Sequence, residues 1–414
     1  MDLLNNEYSE LSKTLSKNIN KKEAQKDGIF FTPPSIIKKN NKILRKTKLK
    51  FKNVLEPSCG SCEYIKNLNL NFKENNLNID AIEFNKTIFD NIKDLNYENC
   101  NVNFIFQDYL YFNPSKKYDL VIGNPPFYVM KKKDVPDEYH GFFEGRPNIF
   151  ILFIIKSLQL LEKDGILSFI LPINFINCLY YNKIREYIYK YYKIIDIEFC
   201  KEDKYLTTQQ DTIIFVVQNK SSNIENNNNK FTLKKQNYTI FNTKDNIKKI
   251  KQMYENSTTL SQLNYNVNVG SVVWNQCKEL LTNDESETLL IYSSSIKDNQ
   301  VLPKQYKNEL KKNYIKKEGI NDDVMLVLNR GYGKGDYKFD YCLIDIDRPY
   351  LIENHLICIK HNEYKNSEKA TFIEKYKKVI KSITSDKTKE FIKLYFGNNA
   401  LNTTELKYIL PIYL

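Results

Sequence analysis

Histidine is scarce in this chain: there are three in 414 residues, and none has a neighbour at a spacing that would hold a metal ion or complete a nucleophilic pair. The eight cysteines are scattered. Cys59 and Cys62 form one C-x-x-C, but no second pair and no histidine pair completes a zinc set, so no metal site is expected. Scattered thiols suit a reducing compartment. Met1 to Lys26 is polar and charged and lacks the apolar stretch of a secretion signal. Apolar runs elsewhere are broken by Lys, Asp or Glu before they reach membrane-spanning length. The expectation is a soluble cytoplasmic protein with no membrane partner. No internal repeat is evident.

What the chain has in excess is lysine. Lys and Arg total 62 against 50 Asp and Glu, a net charge of +12, and the pI is about 9.0. Such a balance points to an anionic partner, nucleic acid first among them. Abundant Lys, Asn, Ile and Tyr also fit an AT-rich genome, so the charge is modest support. The composition, 42% hydrophobic and 13% aromatic, allows a substantial core, and the length suggests two or three domains.

Residues 1–27 read as a polar helix or partly ordered arm. Gly28-Ile29-Phe30-Phe31-Thr32-Pro33-Pro34 then opens a helix, with Thr32 near its cap. The lysine-dense segment from Lys38 to Lys52 reads as a solvated face. From Asn53 strands and helices alternate, which argues for a doubly wound α/β sheet. Four apolar runs end in polar signals: Val54-Leu55 at Glu56-Pro57-Ser58-Cys59-Gly60, Ile79 to Phe84 with Glu83, Val102 to Phe106 with Gln107-Asp108, and Tyr118 to Gly123 with Asn124. Ligands bind at the carboxyl ends of strands in an open parallel sheet. Further strands are expected at Ile166 to Leu171, Ile194 to Phe199 and Thr212 to Val217, with helices at Asn148 to Leu161 and Arg185 to Tyr192. The Asn-rich stretch 221–229 reads as a linker. The expected domains are therefore an arm (1–27), a catalytic domain (28–220), a linker (221–229) and a mixed α+β domain (230–414).

The run Asp119-Leu120-Val121-Ile122-Gly123-Asn124-Pro125-Pro126-Phe127 carries the most chemistry. A buried strand enters a stiff turn. Its prolines lack backbone donors and leave carbonyls to accept, Asn124 adds an amide oxygen, and Phe127 adds a flat apolar face. This set suits a flat heterocycle with an exocyclic amine. Taken alone, the tetrapeptide also fits an ordinary strand followed by a Pro-Pro turn.

The order of these segments, over about 26–218, resembles the gamma class of N6-adenine DNA methyltransferases, the modification enzymes of type II restriction–modification systems. The resemblance implies a Rossmann-like S-adenosylmethionine-dependent domain followed by a target-recognition domain. It implies that Asn124 and the Pro125 carbonyl accept the N6 hydrogens of a flipped adenine, that Phe127 stacks on it, and that Tyr205 (or Phe199) supplies the opposite face. For the cofactor it implies Glu56, Pro57, Ser58 and Gly60 at a loop whose N–H groups approach the methionine carboxylate. Glu83 would take the ribose hydroxyls and Asp108 the adenine amine, with Tyr109 as a ring contact. Phe30, Phe31 and Thr32 would close over the methionine end, and Asn124 would border the transferred group. Ser58 and Ser61 stand where the family more often has Gly.

No Pro-Cys occurs, which excludes the thiol nucleophile of cytosine C5 methylation. Asn rather than Ser at position 124 favours adenine over cytosine N4. Beyond Asn229, Trp274 and the segment Asn329-Arg330-Gly331-Tyr332-Gly333-Lys334-Gly335 are candidate DNA contacts, since Gly lets backbone approach, Arg and Lys reach phosphates or guanine edges, and Tyr stacks. His355 is a further candidate, and a turn residue otherwise. The expected partner is double-stranded DNA, with any cognate restriction endonuclease acting as a separate protein and the enzyme a monomer. The competing readings are the same chemistry on rRNA adenine or protein glutamine, and a non-catalytic DNA-binding protein on this scaffold.

Overall fold

The structure, a computed structural model, describes residues 7–200, 203, 205–208, 210–220, 224–320, 323–330, 340–395 and 401–414. Its internal contacts separate two units, Met1–Ile247 and Lys248–Leu414.

The first unit begins with helices α1 (Glu10–Asn18), α2 (Lys21–Asp27) and α3 (Pro34–Lys46). Strand and helix then alternate through β1 (Asn53–Glu56), α4 (Glu63–Asn71), β2 (Leu77–Glu83), α5 (Lys86–Ile92), β3 (Cys100–Phe106) and β4 (Tyr118–Gly123). They continue through α6 (Ile149–Gln159), β5 (Leu161–Pro172), α7 (Asn182–Tyr191), β6 (Lys193–Phe199) and β7 (Thr212–Gln218). The seven strands form one sheet in the order β3-β2-β1-β4-β5-β7-β6. The first five pair in parallel, and β7 runs antiparallel to both β5 and β6.

The apolar runs are continuous because helices cover both faces of this sheet. Leu55, Val121, Phe169 and Phe215 pack on α6 and α7. Val54, Leu120, Ile122 and Ile214 pack on the other side with residues of α1, α3 and α4. Strand order reverses at β1, with β2 on one side and β4 on the other. This switch point opens a crevice beyond the carboxyl ends of β1 and β4.

Four local expectations change. The residue before α3 is Pro33, with no side-chain cap, and Thr32 is buried instead; Pro at the first helical position needs no cap acceptor for its missing N–H. The N-terminal helices are packed: Leu15 is buried, and the hydroxyls of Ser9 (2.6 Å) and Ser12 (2.5 Å) donate to Glu63 Oε1. Strand β5 starts at Leu161, so the helix expected to run to Leu161 ends at Gln159 and the strand expected from Ile166 begins earlier, with a register shift between Tyr118 and Leu120 of its partner.

The fourth change concerns the expected linker. Residues 224–228 form helix α8 (Ile224–Asn228), followed by the hairpin β8 (Thr232–Lys235) and β9 (Tyr238–Phe241). The amide of Asn228 donates to Tyr189 O and Tyr192 O and accepts from Ile194 N–H. Fully buried Arg185 donates to Thr239 O, Phe175 O and Cys178 O. These bonds fasten 224–241 to the first unit and move the division to Ile247, within the helix Lys244–Met253.

The second unit has a mixed α+β build. Tyr265–Val269, Leu356–His361, Met325–Asn329 and Tyr341–Ile344 form an antiparallel sheet in that spatial order. A second four-stranded sheet contains Leu281–Thr282, Tyr314–Ile315, Thr288–Ile291 and Tyr350–Ile352. Helices Lys369–Ile383, Asp386–Tyr395 and Thr403–Tyr408 complete it.

Candidate active site

The carboxyl ends of β1, β2, β3 and β4 border two adjoining compartments. The larger is a cleft of about 830 Å³ of empty space, counting the solvent at its open side, lined by Phe30, Pro57, Glu83, Asp108, Tyr109 and Asn124 among others. The smaller, about 280 Å³, is lined by Thr32, Glu56 and Cys59 and shares Phe30, Phe31, Ser58, Gly60 and Asn124 with the first. Every residue that the resemblance assigned to the cofactor therefore borders one compartment or the other.

Glu83 ends β2 and is buried. Its Oε2 accepts from Gly60 N–H at 2.9 Å and its Oε1 from Asn85 N–H at 2.7 Å. Burial pushes its pKa up from 4.5 to about 7, against the opposing pull of those backbone bonds. Asp108 caps the short turn Tyr109–Tyr111, its Oδ1 accepting from Leu110 N–H at 2.9 Å. Tyr109 is packed into the wall: it is buried, its hydroxyl meets Ser157 Oγ at 2.8 Å, and its ring centroid lies 4.8 Å from that of Phe153.

In the loop after β1, Gly60 N–H is spent on Glu83, and Cys59 N–H on Ile82 O at 2.9 Å. Both donors are directed at the end of β2, and the backbone turns through a positive φ at Gly60. Glu56 is buried with its Oε2 lacking any hydrogen-bond partner. Burial, and then the fields of Cys62, Glu83 and Glu63, hold its carboxyl well above the ordinary range.

Asn124 follows β4. Its Nδ2 donates to Phe30 O at 2.9 Å. A carbonyl can only accept, so the side-chain atom facing it must be the amide nitrogen, and this fixes which way the amide points. Asn124 Oδ1 is left buried with no partner. The backbone carbonyl of Asn124 accepts from Ser58 Oγ at 3.1 Å. Gly28 lies against the same turn: a Cβ there would meet Phe127 N at 2.7 Å and Pro126 Cβ at 3.0 Å, and its φ of +68° is left-handed. Phe127 stands edge-on to Phe150, with ring centroids 6.0 Å apart; neither it nor Pro125 lines the two compartments.

Tyr205 is not brought to this site. It is buried in the core on the α3 and α4 face, with its hydroxyl 3.2 Å from Thr212 Oγ1, and it lines neither compartment. Phe199, the fallback, is partly buried on the opposite core. Position before the last strand says nothing about depth, and here the loop folds inward. Conversely, Phe84, Asn85, Tyr128 and Ile149 line the cleft without having been singled out. Phe84 carried a usable signal: it directly follows the strand-end acid, and its ring is left 64% exposed.

The candidates in the second unit are scattered in role. Asn329 is committed to Asp340: its Nδ2 donates to Asp340 Oδ2 at 2.8 Å and its Oδ1 accepts from Asp340 N–H at 3.2 Å, closing a hairpin neck. Arg330 donates to Asn354 O at 3.2 Å. Trp274 packs on a small cluster with Val272 and Tyr292. His355 faces Glu353. Tyr332 and Lys334 lie outside the described residues. Among the described residues no cluster of metal ligands occurs, and no helix is long and apolar enough to cross a membrane.

Residues 36–205 match the family described as Eco57I restriction-modification methylase. The chain is 24% identical over 413 residues to the type II methyltransferase M.CvrRI of Paramecium bursaria Chlorella virus XZ-6E, covering 98% of this chain and 99% of that protein. It is 25% identical to the modification methylase CviBIII of Paramecium bursaria Chlorella virus NC1A, covering 97% and 98%. It is 31% identical over 210 residues to the type II methyltransferase M.AccI of Acinetobacter calcoaceticus, covering 48% of this chain and 38% of that protein. Along nearly its whole length the chain is similar to restriction–modification methyltransferases.

Proposed function

We propose, for a chain whose residues 36–205 match the restriction-modification methylase family, that the protein is a site-specific DNA adenine N6-methyltransferase using S-adenosylmethionine. One observation carries the choice of chemistry: the Asn124 amide is clamped by its nitrogen to Phe30 O, which leaves a buried, unpartnered Oδ1 on a residue that lines the strand-end crevice. An acceptor so placed suits the hydrogens of an exocyclic amine. Adenine N6 is a poor nucleophile while its lone pair is delocalised into the ring. Hydrogen bonds to Asn124 Oδ1 and to the Pro125 carbonyl would draw it toward sp³ and localise that pair, with no covalent enzyme intermediate. Phe127 would stack on the flipped base.

The residues present fit the cofactor. Glu83 offers carboxylate oxygens to a ribose diol, Asp108 to an adenine amine, and Phe84, Phe30 and Phe31 offer ring surface in one cleft. The bound cofactor supplies an electrophilic methyl group. The chain's own groups hold and orient the partners. The second unit serves as the target-recognition domain of a monomeric cytoplasmic enzyme, and any cognate endonuclease acts as a separate protein.

The test is methyl transfer from labelled S-adenosylmethionine to unmethylated genomic DNA, with nucleoside mass spectrometry of the product. N6-methyladenine is the expected product. Label in N4-methylcytosine, in RNA or in a protein glutamine would overturn the substrate. No label, with the cofactor unbound, would favour a non-catalytic DNA-binding protein on this scaffold.

A further inference from the structure

Within the second unit, one cluster of side chains is fixed by its surroundings yet keeps hydrogen-bonding capacity unspent. The Nζ of Lys311 lies 4.0 Å from the ring centroid of Tyr292, 4.9 Å from that of Tyr306 and 5.7 Å from that of Trp274. The rings are themselves held: Tyr292 donates to Lys312 O at 2.9 Å, and the Tyr306 hydroxyl meets Ser295 Oγ at 3.1 Å. An ammonium against ring faces is attracted by their quadrupoles. Its N–H groups are not spent on any oxygen of the described residues. Glu353 adjoins the cage through the backbone: its N–H donates to Ile291 O at 2.9 Å, one residue before Tyr292, and it pairs with Val272, which packs in one cluster with Tyr292 and Trp274.

Glu353 is 2% exposed, yet both its oxygens serve a single exposed residue. Oε2 accepts from His355 N–H at 3.0 Å, and Oε1 faces His355 Nδ1 at 2.5 Å. A carboxylate oxygen opposite Nδ1 requires the proton there, so the tautomer is fixed and Nε2 is the ring's unspent atom. The His355 side chain is 58% exposed. The turn that carries it is rigid. Asn354 N–H donates to Val272 O at 2.9 Å, Arg330 donates to Asn354 O, and a Cβ at Gly270 would meet Glu353 O at 2.3 Å.

We propose that Lys311 in its aromatic cage, together with His355 oriented by Glu353, forms a contact point of the second unit for hydrogen-bonding groups of duplex DNA. This rests on the reading of the chain as a DNA methyltransferase, and assigns the contacts within it. Trp274 then acts as a wall of the cage rather than as a base reader. Glu353 is a positioning residue that acts through His355.

The experiment measures binding of the full-length protein to an unmethylated duplex carrying its site, across a salt series, for wild type, Lys311→Met, His355→Ala, Glu353→Gln and the Glu353→Gln/His355→Ala double variant. Melting temperature and cofactor affinity are followed in parallel, and any comparison is made among variants that melt like wild type. Lys311→Met, which keeps the bulk between the rings, should weaken binding about tenfold with cofactor affinity unchanged. If its partner is a phosphate, the salt slope falls by about one; if its partner is a base edge, the slope holds and the methylated sequence relaxes. Glu353→Gln should weaken binding alone and add nothing in the His355→Ala background, a non-additivity that a merely structural role would not give. Wild-type affinity, slope and site in both Lys311→Met and His355→Ala would overturn the assignment while leaving the methyltransferase reading intact. A wild-type protein that neither binds nor methylates duplex DNA would remove both.

Discussion

The two ends of the strand-end crevice treat their buried polar atoms in opposite ways. At the end of β2, both oxygens of Glu83 are spent on backbone N–H groups of the protein. At the ends of β1 and β4, Glu56 Oε2 and Asn124 Oδ1 are buried with no partner. Leaving a buried acceptor unsatisfied costs about 1–3 kcal/mol, so each such atom calls for a physical reason. The contrast separates acceptors already anchored by the chain's own backbone from acceptors that have no partner in the folded chain. Changes at β2 and β3 should therefore alter how tightly the cofactor binds, and changes at β4 how fast the methyl group moves.

Asn124→Ala tests this contrast most severely. Methyl transfer at saturating substrates should fall by about a hundredfold or more, while the cofactor dissociation constant, read by calorimetry, stays within about twofold. Equal losses in both would erase the distinction. Gly28→Ala should come next. Its Cβ would press on Phe127 N and Pro126, and displacing the catalytic turn by a fraction of an ångström should lower kcat by about ten- to a hundredfold with the cofactor still bound. An unchanged kcat would show that the turn has room to give. Glu83→Ala should raise the cofactor dissociation constant by about tenfold and leave kcat at saturation nearly intact, and Asp108→Ala should do the same more weakly.

The smallest effect is on pH dependence. The Glu83 carboxyl is raised from 4.5 to about 7 in the folded chain. An acid with a raised folded pKa favours the protonated folded form, so its contribution to stability is full below about pH 4.5 and is lost as the pH rises through about 7. Glu83→Gln, which cannot ionise, should gain melting temperature relative to wild type between pH 4.5 and pH 8. A flat difference across that range would show that the two N–H bonds keep the carboxylate ionised throughout.

The strand ends were legible in the sequence because a parallel strand covered on both faces reads as an apolar run, as before Glu56 and Asn124, while β2 and the half-exposed edge strand β3 still end in the polar signals Glu83 and Asp108. Depth in a loop is not encoded so plainly. Tyr205 was expected to face a base, yet it is buried with its hydroxyl 3.2 Å from Thr212 Oγ1. The Asn-rich stretch failed for a related reason. A composition rich in amides reads as solvated, but an amide can equally satisfy backbone, as Asn228 does for Ile194, Tyr189 and Tyr192.

The bond from Asn124 to Phe30 O joins positions 94 residues apart, and Phe30 is also a wall of the larger cleft. On the proposed roles, the Asn124 amide and the cofactor would lean on the same peptide. Filling the cleft and engaging the target base would then cease to be independent events: whatever firms the Phe30 segment would also steady the amide, and a base held by the amide would steady the segment in return. Thermodynamic linkage makes that exchange symmetrical, so the factor by which cofactor tightens DNA binding must equal the factor by which DNA tightens cofactor binding.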